Sequence, residues 1–266
     1  MAAPFSLRRI LVVVDDSAEC AVALRSVTRM AERSRAAVEA LYIEDTTVLH
    51  LASLTVVRHV YRHGGPAAPL DVTTIESIYR SQRLGAQRAV SGLTDASGTP
   101  CELRVMRGSV SEAILRAAGA ADLVVLTLPS CNFQRLAGVA EKLGGTGPQA
   151  LLLLRSTVEP SGLVAIADHS PEKDDRLLAV ASGIGRLLGA RVRLFSSRAD
   201  ELRDLATDVD TRGAAEIVPE RLDAFHADSE LWPTTVVACN VEGMFDRLAP
   251  YASMLDARRC PLLISF

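Results

Sequence analysis

The chain has 266 residues and a formal net charge of −3; 48% of its residues are hydrophobic and only 4% are aromatic. This length accommodates two domains of ordinary size or one large domain, and the small net charge, without a basic stripe, argues against a nucleic-acid-binding protein. The five cysteines form no Cys-x-x-Cys pair and no apolar run approaches the ~18 residues of a membrane helix, so we expect a cytoplasmic protein without a disulfide framework, a zinc site or a membrane partner.

The segment from Ile10 to Ser17 reads Ile-Leu-Val-Val-Val-Asp-Asp-Ser, an apolar run that ends in two carboxylates and a hydroxyl. A short apolar run without polar alternation predicts a strand buried on both faces of a parallel sheet, followed by a helix that Ser17 caps. The same pattern returns from Leu163 to Ser170. At one constant offset, the polar positions Asp15, Ser17 and Glu19 match Asp168, Ser170 and Glu172. The repeat indicates one structural unit that is used twice.

Strands and helices alternate along the rest of the chain. In the first half the predicted elements are helix 17–34, strand 36–43, helix 47–61, helix 71–96, strand 102–106, a helix from about 109, strand 123–128, helix 133–143 and strand 151–154. After a linker over 156–161, the second half has predicted strands 163–167, 191–195, 216–218, 234–240 and 262–266, with helices through 177–188 and 245–255. Such alternation, with long connections, predicts an α/β protein with parallel sheets covered by helices. We expect two domains, 1–156 and 162–266, the second of them shortened.

Three further stretches, together with the first strand and its turn, match the sequence pattern of a known family. They are the run from Gly108 to Leu126, Val139-Ala-Glu-Lys142 followed by an apolar strand, and Arg259-Cys-Pro-Leu-Leu-Ile264. With these stretches the chain resembles the universal stress protein family in a tandem form. The resemblance implies two Rossmann-like domains of the adenine nucleotide alpha hydrolase-like type, each with a mostly five-stranded parallel sheet of order 3-2-1-4-5. It also implies a ligand crevice beyond the carboxyl ends of the first and fourth strands.

Many members of that family hold ATP in this crevice, against a glycine-rich loop after the fourth strand and a Gly-Ser or Gly-Thr pair at the next helix. The corresponding segment here, from Thr127 to Gly138, has no Gly-x-x-Gly, and its Pro129 lacks an amide donor. In the second half Asn240-Val-Glu-Gly243 is shorter still and adds a carboxylate. We therefore expect the ATP site to be lost. If ATP does bind, the expected contacts are Asp15, Asp16, Ile43, Thr127, Ser130, Asn132 and Gly138.

The other candidate sites have plainer explanations. Asp15 is at least as well explained by helix capping as by contact with a nucleotide. Cys131 lies near a predicted helix start, where a thiolate is stabilised, but a small half-buried residue explains it as well. His59 and His63 have the i, i+4 spacing of helical metal ligands, yet no Cys or Glu ligand accompanies them. We expect no metal site and no catalytic residues.

These patterns favour a non-catalytic stress-response or regulatory protein that acts through contacts with an unidentified protein partner. The alternative is an adenine-nucleotide (ATP) binder with at most slow ATPase activity, which would use Asp15 and the backbone near 130–132. A weaker third hypothesis is redox sensing through Cys131.

The sequence also suggests how the halves meet and where a partner binds. Dimers of the resembling family often pair through the fifth strand, so we expect 151–154 and 262–266 to meet within one chain as a pseudo-dimer. A homodimer is the open alternative. The predicted helix 47–61, with Leu and Val on one side, is a candidate partner surface, although it is as well explained by packing on its own sheet.

Overall fold

The computed structural model of the chain describes residues 5–15, 17–54, 57–59, 68–127, 133–155, 159–167, 170–196, 217–221, 235–241 and 260–266. In the first half the elements are β1 (Arg9–Val14), α1 (Ala18–Ser34), β2 (Ala37–Asp45), α2 (Thr46–Ala52), β3 (Arg58–His59), β4 (Ala68–Pro69), α3 (Val72–Ser97), β5 (Cys101–Gly108), α4 (Val110–Ala118), β6 (Leu123–Thr127), α5 (Phe133–Gly144) and β7 (Ala150–Leu154). In the second half they are β8 (Gly162–Ile166), α6 (Pro171–Leu188), β9 (Arg191–Ser196), β10 (Ile217–Arg221), β11 (Thr235–Asn240) and β12 (Leu262–Ser265).

Ten of these strands form one sheet in the order β10-β9-β8-β11-β12-β7-β6-β1-β2-β5. Within each half the neighbouring strands are parallel, and the order is 3-2-1-4-5 when each half is counted separately, as predicted. The halves join where β12 pairs with β7 in antiparallel register, with Leu262 opposite Leu153 and Ile264 opposite Leu151. The prediction that the two fifth strands meet within one chain is therefore confirmed.

The sheet is buried on both faces because its central strands are apolar at nearly every position. In β7, for example, Leu152 and Leu154 belong to the core layer beneath α1, α3 and α6. The intervening Leu151 and Leu153 belong to the opposite layer, which α4 and α5 cover. Each layer draws residues from both halves of the chain, so the hydrophobic core continues across the β7–β12 junction. This continuity follows from strands without polar alternation, which require cover on both sides.

Helices α1 and α6 provide polar contacts between the halves on one face of the sheet. The guanidinium of Arg33, in α1, donates to the carbonyl oxygens of Leu187 and Arg186 at 2.8 and 3.3 Å, at the last turn of α6. A cation placed there also interacts favourably with the negative end of the helix dipole. In the connector between the halves, the Glu159 carboxylate binds Arg25 and Arg29 of α1. The connector is therefore fixed to the first half.

One predicted element is wrong. Helix 47–61 is replaced by the seven-residue α2, which ends at Ala52, and by β3, whose two residues pair antiparallel with β4. The hydroxyl of Ser53 donates to the carbonyl oxygen of His50 at 2.6 Å, a local bond that competes with continuation of the helix. The other predicted strands and helices are found among the described residues, except helix 245–255, which lies outside them.

Candidate functional site

The candidate site lies where β1 and β6 run side by side and the chain leaves them in opposite directions. Ile10, Leu11 and Val12 of β1 pair with Leu123, Val124 and Val125 of β6. β2 lies beyond β1 and β7 lies beyond β6. This point of reversal, at the carboxyl ends of the strands, is where open α/β sheets bind ligands. The described residues that reach it are Asp15 after β1, Ile43 in β2 and Thr127 at the end of β6.

The carboxylate of Asp15 is bound to the residue that caps α1. Its Oδ1 accepts a hydrogen bond from the backbone N–H of Ser17 at 2.9 Å and another from the Ser17 hydroxyl at 2.5 Å. The Ser17 oxygen in turn accepts from the N–H of Cys20 at 3.1 Å. The chain of bonds is completed by the N–H of Asp15, which donates to the Cys20 Sγ at 3.4 Å. One carboxylate oxygen of Asp15 thus fixes the turn between β1 and α1, a common role for Asp before a helix.

Thr127 and Ile43 are engaged with the sheet and its core. The hydroxyl of Thr127 donates to the carbonyl oxygen of Val13 at 3.4 Å, across the β1–β6 pair, and the residue is only 3% exposed. Ile43 is half-buried and packs against the core layer beneath α4 and α5. Neither side chain supplies a free polar group to the crevice.

Gly138 lies inside α5, beyond its first turn. A Cβ placed there would have no atom within 4 Å, so the glycine does not serve a close approach of another chain segment. The amides that a helix leaves available to an anion are those of its first turn, because later amides bond to the carbonyl four residues before them. Its position therefore differs from that of a phosphate-binding pair at a helix start. Asp16, Ser130, Cys131 and Asn132 lie outside the described residues.

The sequence did not predict the polar network at the end of β2. Glu44 binds Arg83 of α3 at 3.4 Å and lies 3.9 Å from Arg107 of β5. Asp45 caps α2 by accepting from the N–H of Thr47 at 2.8 Å, and its carbonyl oxygen accepts from the Tyr79 hydroxyl at 3.0 Å.

Burial of the Tyr79 hydroxyl raises its pKa, and the nearby Asp45 and Glu44 carboxylates add to the rise. These carboxylates serve capping and ion pairing beside the crevice. No spacing in the sequence predicts this network, because its residues come from three separate elements, β2, α3 and β5.

His59, one member of the histidine pair, lies in β3 and not in a helix. His63 is outside the described residues. The i, i+4 spacing of the pair therefore does not place both imidazoles on one face of a helix. Within the described ranges, no three His, Cys, Asp or Glu side chains form a group that could hold a metal ion.

Two of the described cysteines have a thiol pKa that burial raises. Cys20, Cys101, Cys239 and Cys260 form no disulfide with one another. Burial raises the pKa of Cys101 to about 11 and that of Cys239 to about 12. Because the thiolate is the reactive form, these two thiols are poor nucleophiles at neutral pH. Cys131, the residue proposed for redox sensing, is not among them. Of the helices in the described ranges, none combines the length and apolarity that a membrane span requires.

Comparison with known proteins identifies the family. The model of the universal stress protein family matches residues 6–145, which is more than half of the chain. No curated protein matches the sequence.

Among solved structures, a universal stress protein from Archaeoglobus fulgidus DSM 4304 is 12% identical with a TM-score of 0.67, over 98% of this chain and 97% of that one. A universal stress protein family member from Burkholderia pseudomallei is 19% identical, covering 59% of this chain and 100% of its own, with a TM-score of 0.36. UspA from Lactobacillus plantarum is 18% identical, covering 58% of this chain and 100% of its own, with a TM-score of 0.39. The Archaeoglobus structure shows that the fold likeness extends over both halves, and with the family match it leads to one conclusion: this chain belongs to the universal stress protein family.

Proposed function

We propose that this protein is a non-catalytic, cytoplasmic member of the family that acts through protein contacts and no longer holds ATP. The observation that carries the proposal is the bonding of Asp15. Its Oδ1 is taken up by the N–H and hydroxyl of Ser17, which caps α1. The one acidic side chain described at the end of β1 therefore has a structural role that needs no ligand.

The segment after β6 supports the same proposal. Triphosphate binding requires several backbone amides that converge on the phosphates, from glycine-rich turns or a helix start. Between Thr127 and Gly138 the sequence offers no Gly-x-x-Gly, and Pro129 has no N–H. Gly138 itself lies within α5. The second half offers less, because Asn240 is followed by Val-Glu-Gly, which adds a negative charge where phosphate would bind.

We also propose that the chain consists of two domains, 1–156 and 162–266. The proposal is supported by the repeated strand order and by the connector between Leu154, at the end of β7, and Gly162, at the start of β8. The cytoplasmic setting is supported by the four described cysteines, which form no disulfide with one another, since cytosolic proteins keep their cysteines reduced.

One observation favours the alternative, an ATP-binding protein with at most slow ATPase activity. Among the described residues, the second carboxylate oxygen of Asp15 accepts no hydrogen bond, and the residue is only half-buried. An oxygen in this position at the strand end could accept a hydrogen bond from a nucleoside hydroxyl or amine. The two functions therefore differ in one measurable property, the affinity for ATP.

Equilibrium dialysis with radiolabelled ATP tests the proposal. We expect no saturable binding of ATP below millimolar concentration, with or without Mg²⁺, and no phosphate release above background. Micromolar binding by the wild type would overturn the proposal.

A pair of variants then distinguishes the alternative. Asp15→Ala removes the carboxylate at the crevice, and Asp71→Ala removes a comparable capping carboxylate from the start of α3. If ATP binding is present and only Asp15→Ala abolishes it, the alternative holds. If both variants bind ATP like the wild type, Asp15 has no part in the site.

A further inference from the structure

The two outermost strands of the sheet, β5 and β10, have different capacities for pairing with another chain. Strand order places β5 at one end of the sheet and β10 at the other. β10 has five residues, and Pro219 at its centre lacks the amide that a further strand would bond. β5 has eight residues without proline, and all eight are paired with β2 on its inner side. Of the described strands, none covers the outer side of β5. An edge of this kind is a template for another strand.

One face of β5 carries an unbalanced charge. Glu102 lies in register with Glu39 of β2. Arg104 is already bound to Glu39, at 3.3 Å, so its guanidinium is taken up by one of these two carboxylates. Within the described part of the chain, Glu102 itself forms no ion pair. Like charges directly opposite each other on neighbouring strands are unfavourable. A second cation beside Glu102 would relieve this arrangement.

The other face of β5 is apolar and incompletely covered. Cys101 and Leu103 are half-buried and pack against the core layer beneath α3. Val105, the next residue on this face, is 40% exposed although it lies in register with the buried Tyr42. The apolar stripe therefore extends to the edge of the sheet.

We propose that β5 is the interface of a homodimer, in which two copies of the chain pair their β5 strands in antiparallel fashion about a two-fold axis at Leu103. A two-fold axis perpendicular to the sheet keeps the same face of both copies on the same side, so only residues on one face can lie opposite each other. With the axis at Leu103, Glu102 lies opposite the partner's Arg104, and Arg104 opposite the partner's Glu102. On the other face, Cys101 lies opposite the partner's Val105. The same register therefore forms both ion pairs and brings the apolar stripes of the two copies together.

The neighbouring registers are less favourable. With the axis at Arg104, the two Arg104 side chains face each other, and with the axis at Glu102 the two Glu102 side chains do so. With the axis at Val105, Arg104 lies opposite the partner's Met106. The edge that β7 would otherwise offer is already covered by β12 of the same chain. β5 is thus the described edge best suited to a second copy.

Charge reversal tests the interface, with sedimentation velocity as the measurement. We expect the wild type to be a dimer at micromolar concentration. Glu102→Arg places Arg opposite Arg at two points of the interface, and Arg104→Glu places Glu opposite Glu. Each variant should weaken the dimer by at least about tenfold, because two favourable cross-strand pairs become repulsive. An equimolar mixture of the two variants should dimerise again, since each pairing across the axis then joins Glu with Arg.

Two controls make the test specific. Glu220→Arg makes the same charge change on β10, at the opposite edge, and should leave the dimer unchanged. Far-ultraviolet circular dichroism should show that the variants fold. Arg104→Glu removes a surface ion pair with Glu39, and such a pair contributes little to the free energy of unfolding. If Arg104→Glu nevertheless misfolds, Glu102→Arg alone decides, because Glu102 has no ion pair to lose within the described residues.

Any one of four results would overturn the proposal. They are a monomeric wild type, dimers that survive both reversals, variants that do not associate when mixed, and dissociation of the dimer by Glu220→Arg.

Discussion

The two halves of the sheet begin with the same sequence pattern but cap their first helices differently. In the first half, the Ser17 side chain accepts from the N–H of Cys20. In the second half, Ser170 occupies the same N-cap position but its side chain forms no capping bond, and Pro171 opens the helix. The N–H of Lys173, which corresponds to Cys20, donates instead to the carbonyl oxygen of Ser170 at 3.0 Å. The pattern thus fixes where each helix begins, whereas the neighbouring residues decide which atoms stabilise its start.

This difference bears on how Asp15 is interpreted. The carboxylate holds the Ser17 hydroxyl, and that hydroxyl caps the helix, so the two residues act as one unit. The second half begins its helix without a capping bond from Ser170 and with a proline, which lacks one of the amides that a helix start leaves without a partner. In the first half, the Asp15–Ser17 unit therefore has a structural role that needs no ligand.

The largest predicted effect concerns the junction of the halves. Leu263 of β12 lies opposite Leu152 of β7, and both are fully buried in the same core layer. We expect Leu263→Ala and Leu152→Ala each to lower the free energy of unfolding by about 3 kcal/mol, through lost apolar contact and a residual cavity. Because the core is continuous across the junction, both variants should shift the same single transition in urea, followed by far-ultraviolet circular dichroism.

The control for this prediction is Leu84→Ala, since Leu84 of α3 is 46% exposed. It should change the free energy of unfolding by less than about 0.5 kcal/mol. A result in which Leu263→Ala splits the unfolding curve in two, with one step unchanged from the wild type, would show that the halves unfold independently.

The intermediate effect distinguishes the two helix starts. Ser17→Ala should cost about 1 kcal/mol of the free energy of unfolding, because the N–H of Cys20 loses its acceptor and the Oδ1 of Asp15 loses one of its two donors. Ser170→Ala should cost only a few tenths of a kcal/mol, about the size of other surface substitutions, because no capping bond is present to lose. Urea unfolding of the two variants measures the difference directly, and equal losses would contradict the structural distinction.

How much the sequence predicts depends on the range of the interactions involved. Strand β1 was recognised because its apolar run is set by burial on both faces, a property of the segment itself. Helix α3 was recognised from its periodicity and is bounded by local signals, Asp71 at its start and Gly98 at its end. The predicted helix 47–61 was wrong because its apolar spacing is only partly a pattern of burial. Ala52 is buried, but Leu51 and Leu54 are 42% and 39% exposed.

The candidate site was predictable only in part. Its place, at the carboxyl ends of β1 and β6, follows from the strand order, which the family resemblance implied. The Asp15–Ser17 contact joins neighbours in the chain, so it was within reach as a capping hypothesis. The contacts of Glu44 with Arg83 and Arg107 join three separate elements, and no local sequence pattern predicts which residues of separate elements come into contact. Residues 128–132, where further contacts were predicted, lie outside the described residues.

The smallest predicted effect concerns Glu159, a residue of the connector that binds Arg25 and Arg29 of the first half. Its side-chain bond to Arg25, and then its bond to Arg29, hold the pKa of the carboxyl below its ordinary value of 4.5. A carboxyl with a lowered pKa stabilises the folded state fully above its unfolded pKa, and this contribution is lost as the pH falls through the folded value. Glu159→Gln should therefore reduce the free energy of unfolding by a few tenths of a kcal/mol at pH 7, since the pair is near the surface, and by nothing in strong acid. Urea unfolding between neutral and acid pH should show the wild type and variant converging only below about pH 4.5. A constant difference at every pH would mean that the side chain acts through packing and not through its charge.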